Sequence, residues 1–565
     1  MELQFSSISQ LVLPDLEHEA AEIIGRRQGL SLKSIKNTLA HADAFLAGPL
    51  KSDIVLERGK HFMHILRSYL PFLIGIFIAG CTALTPFEGT EETTPPPVTR
   101  GIWSEIETIR GSDWQVPLNE GRGALGWRLR AIDSATSSID LQSFIWSFDD
   151  VGSVIQERLL AAADRGVNVR ILIDDSFLVG EDQHLLQLHR HENVQYRIYN
   201  PYERRADSAM TRFVLNLGDF DRLDHRMHNK SMVVDNQVAI VGGRNLADEY
   251  FGFDDAANFR DMELLVGGPI VEKISGSFDT YWNDRWSFPV DKIGRVRAAH
   301  VPREKVQGEA AELDRMYPRE PQESRDAAWR DIVKQSHRGR SKLIADRPPE
   351  DRPEALKDRP VQVADALSRL ITSARDEVTI VSAYLIPTPG LVQALKSAVS
   401  RGVRVRLLTN SINSNNHISA YAAYRGHIAE LLSFGAEVHE MRTLADIRPR
   451  YILPPVLKKH LGLHAKYMIV DKRHVVVGSA NLDPRSLRIN TELVLIVDSK
   501  SLANDLLKLT EPDFDESNAW RLALKDDGKI VWMGNGMVLD AEPALRGFQR
   551  IEEWFFAHLP IEDEL

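Results

Sequence analysis

One cysteine, Cys81, in 565 residues leaves no partner for an internal disulfide and too few thiolates for a cysteine-based zinc site. Positive charge is not in surplus either. Sixty-nine Lys and Arg stand against 80 Asp and Glu, a formal net charge of -11, so the broad basic footprint of a protein that grips nucleic acid non-specifically is missing. Long apolar runs are scarce. The most apolar stretch, Leu70 to Gly80, is about 11 residues, too short to cross roughly 30 Å of bilayer hydrocarbon as a helix. What is there is ordinary for a globular protein, 43% hydrophobic and 26% charged, on a chain long enough for two packed domains plus appendages.

The apolar run follows Met63, His64 and Arg67 and ends in Ile78-Ala79-Gly80-Cys81. A basic start, a short apolar run and small residues before a cysteine resemble a bacterial lipoprotein signal over 63–81, which implies lipidation of Cys81 and a membrane-associated, lipid-anchored place in the cell envelope. A buried helix with an incidental cysteine is the plainer alternative. Residues 82–110, with Thr90 to Thr99 and Pro95-Pro96-Pro97, read as a Pro/Thr-rich tether and favour the signal. Thr82 stands where an inner-membrane lipoprotein carries aspartate, which points to the outer membrane. Two readings of residues 1–62 stand: Met63 is the true start and the upstream segment a gene-start error, or 1–62 is a genuine cytosolic extension that makes the run internal.

Past the tether the chain repeats itself. Ser138 to Ile145 reads as a strand, Val151 to Arg165 as an amphipathic helix, and Gly166 to Asp174 as a second strand. Glu377 to Tyr384, Gly390 to Ser400 and Arg401 to Thr409 repeat the plan. The two Arg-Gly-Val turns lie 236 residues apart, and so do His228 and His464, so the chain is an internal duplication. An α/β fold of two similar lobes follows, over 111–300 and over 357–565 with a C-terminal extension. Between them 301–356, with Arg347-Pro348-Pro349 and weak apolar periodicity, reads as a charged linker or insertion.

Chemistry-bearing residues recur in the same register. The first lobe has His228-Asn229-Lys230, Asp235 and Gly242-Gly243-Arg244-Asn245; the second has His464-Ala465-Lys466, Asp471 and Gly478-Ser479-Ala480-Asn481. On an extended segment His-x-Lys puts both side chains on one face. Phosphodiester transfer needs a nucleophile that can leave again, a proton donor for the departing alkoxide, and cations or amides around the equatorial oxygens. His, Lys and Asn supply these without metal or cofactor. A lone histidine on a strand is usually an ordinary polar side chain, but two copies in fixed register with Lys and Gly-x-x-Asn are not.

These paired motifs resemble those of the phospholipase D superfamily over roughly residues 115–500. Arg226-Met227-His228-Asn229-Lys230, Asp248-Glu249-Tyr250-Phe251, Asn481-Leu482-Asp483-Pro484-Arg485-Ser486 and the C-terminal His558-Leu559-Pro560-Ile561-Glu562 are similar to the bacterial cardiolipin synthase branch. The N-terminus departs from that branch, where many members carry transmembrane helices. The resemblance implies two lobes, each a mixed β-sheet flanked by helices, related by a pseudo-twofold axis around a shared active site. It also implies a phosphohistidine intermediate, with His228 as nucleophile and His464 as acid/base. Lys230, Lys466, Asn245 and Asn481 then surround the phosphoryl oxygens, with Ser479 contributing less. Asp235 and Asp471 belong to the motifs and fix loops beside the site. Each imidazole needs an acceptor on its second nitrogen, for which Asp261 and Glu492 are the candidates.

Cardiolipin synthesis from phosphatidylglycerol, with phosphatidylethanolamine as another candidate substrate, is the leading expectation, at a membrane surface and without nucleic acid. Hydrolytic phospholipase D differs only in using water as acceptor, and a nuclease is the third reading. Oligomeric state is not legible in the sequence.

Overall fold

The computed structural model describes residues 84–109, 111–179, 181–206, 208–293, 311–349, 362–454, 456 and 460–544. Cys81, the signal-like segment, residues 1–62 and the C-terminal His558 to Glu562 lie outside them. The chain divides into two compact units, one holding Ala206–Asp219 with Met1–Leu84, the other Thr85–Arg205 with Phe220–Leu565. In the described part of the first, Ser208 caps the short helix Ala209–Leu215 by accepting from the Thr211 N–H. The strands of both duplicated lobes belong to the second unit.

The first lobe is built on strands β1 (Trp114–Leu118), β2 (Ser138–Ser143), β3 (Asn168–Asp174), β4 (Val194–Tyr199), β5 (Ser231–Val234), β6 (Val238–Gly242), β7 (Ala257–Arg260), β8 (Glu263–Gly267), β9 (Ser287–Pro289) and β10 (His337–Arg338). All but β7 form one sheet in the order β10-β1-β8-β6-β5-β2-β3-β4-β9. β2, β3 and β4 run parallel, joined through helices such as Asp150–Asp164, whereas β5 returns antiparallel to β2.

The second lobe repeats this with β11 (Arg340–Ala345), β12 (Glu377–Ser382), β13 (Arg404–Asn410), β14 (Glu437–Met441), β15 (His460–Leu463), β16 (Lys466–Val470), β17 (His474–Gly478), β18 (Leu493–Asp498), β19 (Ala519–Leu524), β20 (Ile530–Gly534) and β21 (Met537–Leu539). Its sheet runs β11-β18-β17-β16-β12-β13-β14-β19-β20-β21. The repeated Arg-Gly-Val is a helix stop in both lobes. Gly166 and Gly402 take φ of 89° and 87°, and the Val167 and Val403 N–H groups close back onto the Ala162 and Ala398 carbonyls.

The lobes are fused in two ways. Val241 and Leu264 of the first share one buried apolar cluster with Ile469, Val477 and Leu495 of the second. In addition, β7 and β15 pair in parallel as a separate two-stranded sheet, one strand from each lobe.

Two boundary expectations change. The Pro/Thr-rich stretch does not behave as a tether where it is described: Thr94 bonds through its N–H and hydroxyl to Asp279, the Val98 N–H donates to the Asp235 carbonyl, and Trp103 in the helix Ile102–Ile109 is buried. Extended backbone with free N–H groups finds carboxylate, amide and carbonyl acceptors along the first lobe, which composition does not reveal. The charged linker is partly lobe as well, since β11 is an edge strand of the second sheet. The helix Gln322–Gln335 docks through only two buried residues, Trp329 and Val333, too few to show as periodicity.

Candidate active site

Each motif histidine is delivered to its place by main-chain pairing with the other lobe. The His228 N–H donates to the Thr491 carbonyl at 2.9 Å, and the Thr491 N–H to the Arg226 carbonyl at 2.9 Å. On the other side the His464 and Ala465 N–H groups both donate to the Arg260 carbonyl, at 2.9 and 3.1 Å, where β7 and β15 end. Thr491 and Arg260 each immediately precede a carboxylate, so the pairing that places a histidine also places its acceptor.

The acceptors are therefore exchanged between lobes. His228 Nδ1 lies 2.9 and 3.0 Å from the two oxygens of Glu492, and His464 Nδ1 lies 2.7 Å from Asp261 Oδ2. The sequence nominates both carboxylates but not which ring each serves. An ionised carboxylate can only accept, so Nδ1 carries the proton of each neutral ring and Nε2 keeps its lone pair for chemistry. Ring edges complete each seat: Phe144 meets His228 at 4.8 Å and 74°, and Tyr250 meets His464 at 4.8 Å and 78°. Neither aromatic stands out in the sequence as a contact to the site.

The lysines fold back on their own motifs. Lys230 Nζ donates to the His228 carbonyl at 2.8 Å, and Lys466 Nζ to the His464 carbonyl. Both are buried. Burial drives Lys230 down to about 7, Glu492 opposing and Lys466 assisting, and drives Lys466 to about 8 against the pull of Asp261. Burial likewise takes His228 to about 4 despite Glu492 and His464 to about 3, with Lys466 adding to the effect. Burial pushes the Asp261 and Glu492 carboxyls upward, but the facing histidines and nearby lysines reverse this and hold both below their ordinary values. Each histidine responds to the lysine of the other motif, so the half-sites share one electrostatic field. Below about pH 7 two ammonium groups and two carboxylates balance around two neutral rings, and an anionic phosphodiester tips that balance toward protonating one of them.

The remaining nominated residues divide. Ser479 Oγ donates to Glu492 and accepts from the Leu493 N–H at 3.0 Å. Its first-lobe equivalent is Gly243, where a Cβ would stand 2.3 Å from Asp261 Oδ1, so the shorter carboxylate occupies the space a side chain would need. Asn245 accepts from the Ile145 N–H at 3.2 Å, while Asn481 Oδ1 is buried with no hydrogen-bond partner among the described residues. Asp235 and Asp471 hold loops. Asp235 accepts from the Thr136, Ser137 and Ser138 N–H groups and from Trp103 Nε1, and Asp471 from those of Arg375, Asp376 and Glu377.

Two mixed sheets whose motif histidines each rest on a carboxylate from the opposite lobe define a protein with one composite active site made of two half-sites. The chain belongs to the phospholipase D superfamily, in its cardiolipin synthase-type branch: residues 129–282 and 367–514 match the family described as cardiolipin synthase, PLD-like domain. Cardiolipin synthase C of Escherichia coli K12 is 30% identical over 462 residues, which cover 79% of this chain and 95% of the relative. An uncharacterized Helicobacter pylori protein is 30% identical over 485 residues, covering 83% and 91%. Among solved structures, the phosphatidylserine synthase of Haemophilus influenzae covers 73% of this chain and 90% of its own at 13% identity and a TM-score of 0.47.

Proposed function

We propose that this enzyme transfers a phosphatidyl group between phospholipids and makes cardiolipin, with phosphatidylglycerol as donor and acceptor and phosphatidylethanolamine as a further candidate substrate. The exchanged histidine–carboxylate pairs carry the reading, because they supply two oriented imidazoles to one site.

His228 Nε2 attacks phosphorus, a P–N bond forms, and the P–O bond to the departing headgroup alcohol breaks. That alkoxide takes the proton of His464 Nε2–H, which His464 gains when the phosphodiester anion enters. The headgroup hydroxyl of a second lipid then gives its proton to His464 and attacks phosphorus, releasing His228. Lys230, Lys466, Asn245 and Asn481 neutralise and orient the equatorial oxygens. The work is placed at a bacterial membrane surface with Cys81 as lipid anchor.

Incubating the protein with labelled phosphatidylglycerol and phosphatidylethanolamine in vesicles tests this. Labelled cardiolipin is the expected product. Phosphatidic acid alone makes water the acceptor and the enzyme a hydrolase, and no lipid turnover overturns the reading.

A further inference from the structure

Outside the motifs, one cation is buried at the junction of the lobes. Arg260 ends β7, is 0% exposed, and reaches from the first lobe into the second. Its Nη2 lies 2.8 Å from Asp513 Oδ2 and donates to Tyr467 Oη at 2.8 Å. Tyr467 directly follows Lys466 in β16 and is held in turn by Thr510 at 2.7 Å. The Tyr451 and Tyr467 rings lie 5.7 and 5.0 Å from the guanidinium carbon.

This arrangement is a poor stabilising device. A fully desolvated ion pair roughly breaks even against well-packed apolar side chains, and Arg260 Nε and Nη1 have no hydrogen-bond partner among the described residues. Its position is the informative part. The Arg260 carbonyl accepts from both His464 and Ala465, the next residue is Asp261, and the guanidinium grips the neighbour of Lys466. The main chain of Arg260 thus holds His464 and Ala465 and adjoins Asp261, while its side chain holds the residue that follows Lys466. The equivalent position beside His228 is Thr491, whose neutral hydroxyl bonds to Asn229 at 3.1 Å. There Ser479 steadies Glu492, a support that Gly243 cannot give Asp261.

We propose that Arg260, clamped by Asp513 and Tyr467, is a positioning residue for the His464–Asp261 half-site alone, fixing the ring that handles the proton. The catalytic consequence rests on the function proposed above; the geometric one does not.

The test uses the full chain with ¹⁵N-labelled histidine, as Arg260→Lys, Asp513→Asn, and the paired Arg260→Met, Asp513→Leu, beside His464→Ala and His228→Ala. Read without lipid, the imidazole nitrogen resonances of His464 are expected to move in all three variants while those of His228 stay. Turnover of lipid should fall about tenfold to a hundredfold, and the ratio of natural to activated substrate turnover should track His464→Ala, not His228→Ala. The paired apolar variant should keep the wild-type urea midpoint. Unmoved His464 resonances, or equal movement of both histidines, overturn the proposal. If the paired variant does not fold, the two single variants decide by the same spectra. Absence of lipid turnover in the wild type refutes the proposed function and leaves the spectra to judge the clamp.

Discussion

At the residue scale the two histidines have the same parts, and leaving-group chemistry separates the tasks proposed for them. If His228 attacks, His228→Ala removes the covalent step, whereas His464→Ala still permits attack when the leaving group is stable as an anion. With a nitrophenyl phosphodiester, a burst of nitrophenol is expected from His464→Ala and none from His228→Ala. General-acid help is worth about 10²–10⁴-fold, much of it recovered with such a substrate. The opposite pattern reverses the roles and keeps the two-histidine chemistry. The depressed histidines also set an acid limit on stability. Unfolded histidine takes up its proton near 6.5, while folded His228 resists until about 4, so the unfolded state binds more protons across that window and stability falls as pH drops through it. His228→Gln should remove on the order of 2–3 kcal/mol of that pH dependence. Urea midpoints at pH 5 and 7 for the variant and wild type check it, and equal slopes contradict it.

At the element scale the motif aspartates belong to hairpins. Asp235 and Asn236, like Asp471 and Lys472, take positive φ in turns closed by the Gln237 and Arg473 N–H groups, and such turns favour Asp and Asn. Asp235 is fully buried and Asp471 only partly so. Asp235→Ala strands several buried donors and should cost about 3–5 kcal/mol, against about 1 kcal/mol for Asp471→Ala, where water can substitute. Chemical denaturation of the two variants measures the difference; equal losses sink the argument. Much of this was legible beforehand, because β-α-β periodicity and the Arg-Gly-Val stops are local. The exchange of Glu492 and Asp261 was not, since it depends on β7 meeting β15 and on Arg226 meeting Thr491, contacts between distant segments that leave no periodic trace. Arg260 was hidden for the same reason: a strand-end arginine reads as solvated until its partner Asp513 is in place.

At the scale of the whole molecule, parts that look like connectors are structural. Trp329 is buried against Trp103 at 5.4 Å and Trp127 at 5.1 Å and donates to Ser134 at 3.0 Å, so it fastens the inter-lobe segment and the helix Ile102–Ile109 to the first lobe. Trp329→Ala should lower stability by about 3–5 kcal/mol, visible as a reduced urea midpoint; a loss under about 1 kcal/mol makes the segment a linker after all.

The exchange of carboxylates also governs when the molecule can first act. His228 leaves the ribosome 264 residues before Glu492, and at roughly 5–20 residues per second that interval is about 13–50 s. Throughout it the ring proposed to attack has no acceptor behind it and no second histidine to protonate a leaving group. On the proposed chemistry the nascent chain stays inert through that interval by chain order, and both half-sites become competent together when the second lobe closes on the first.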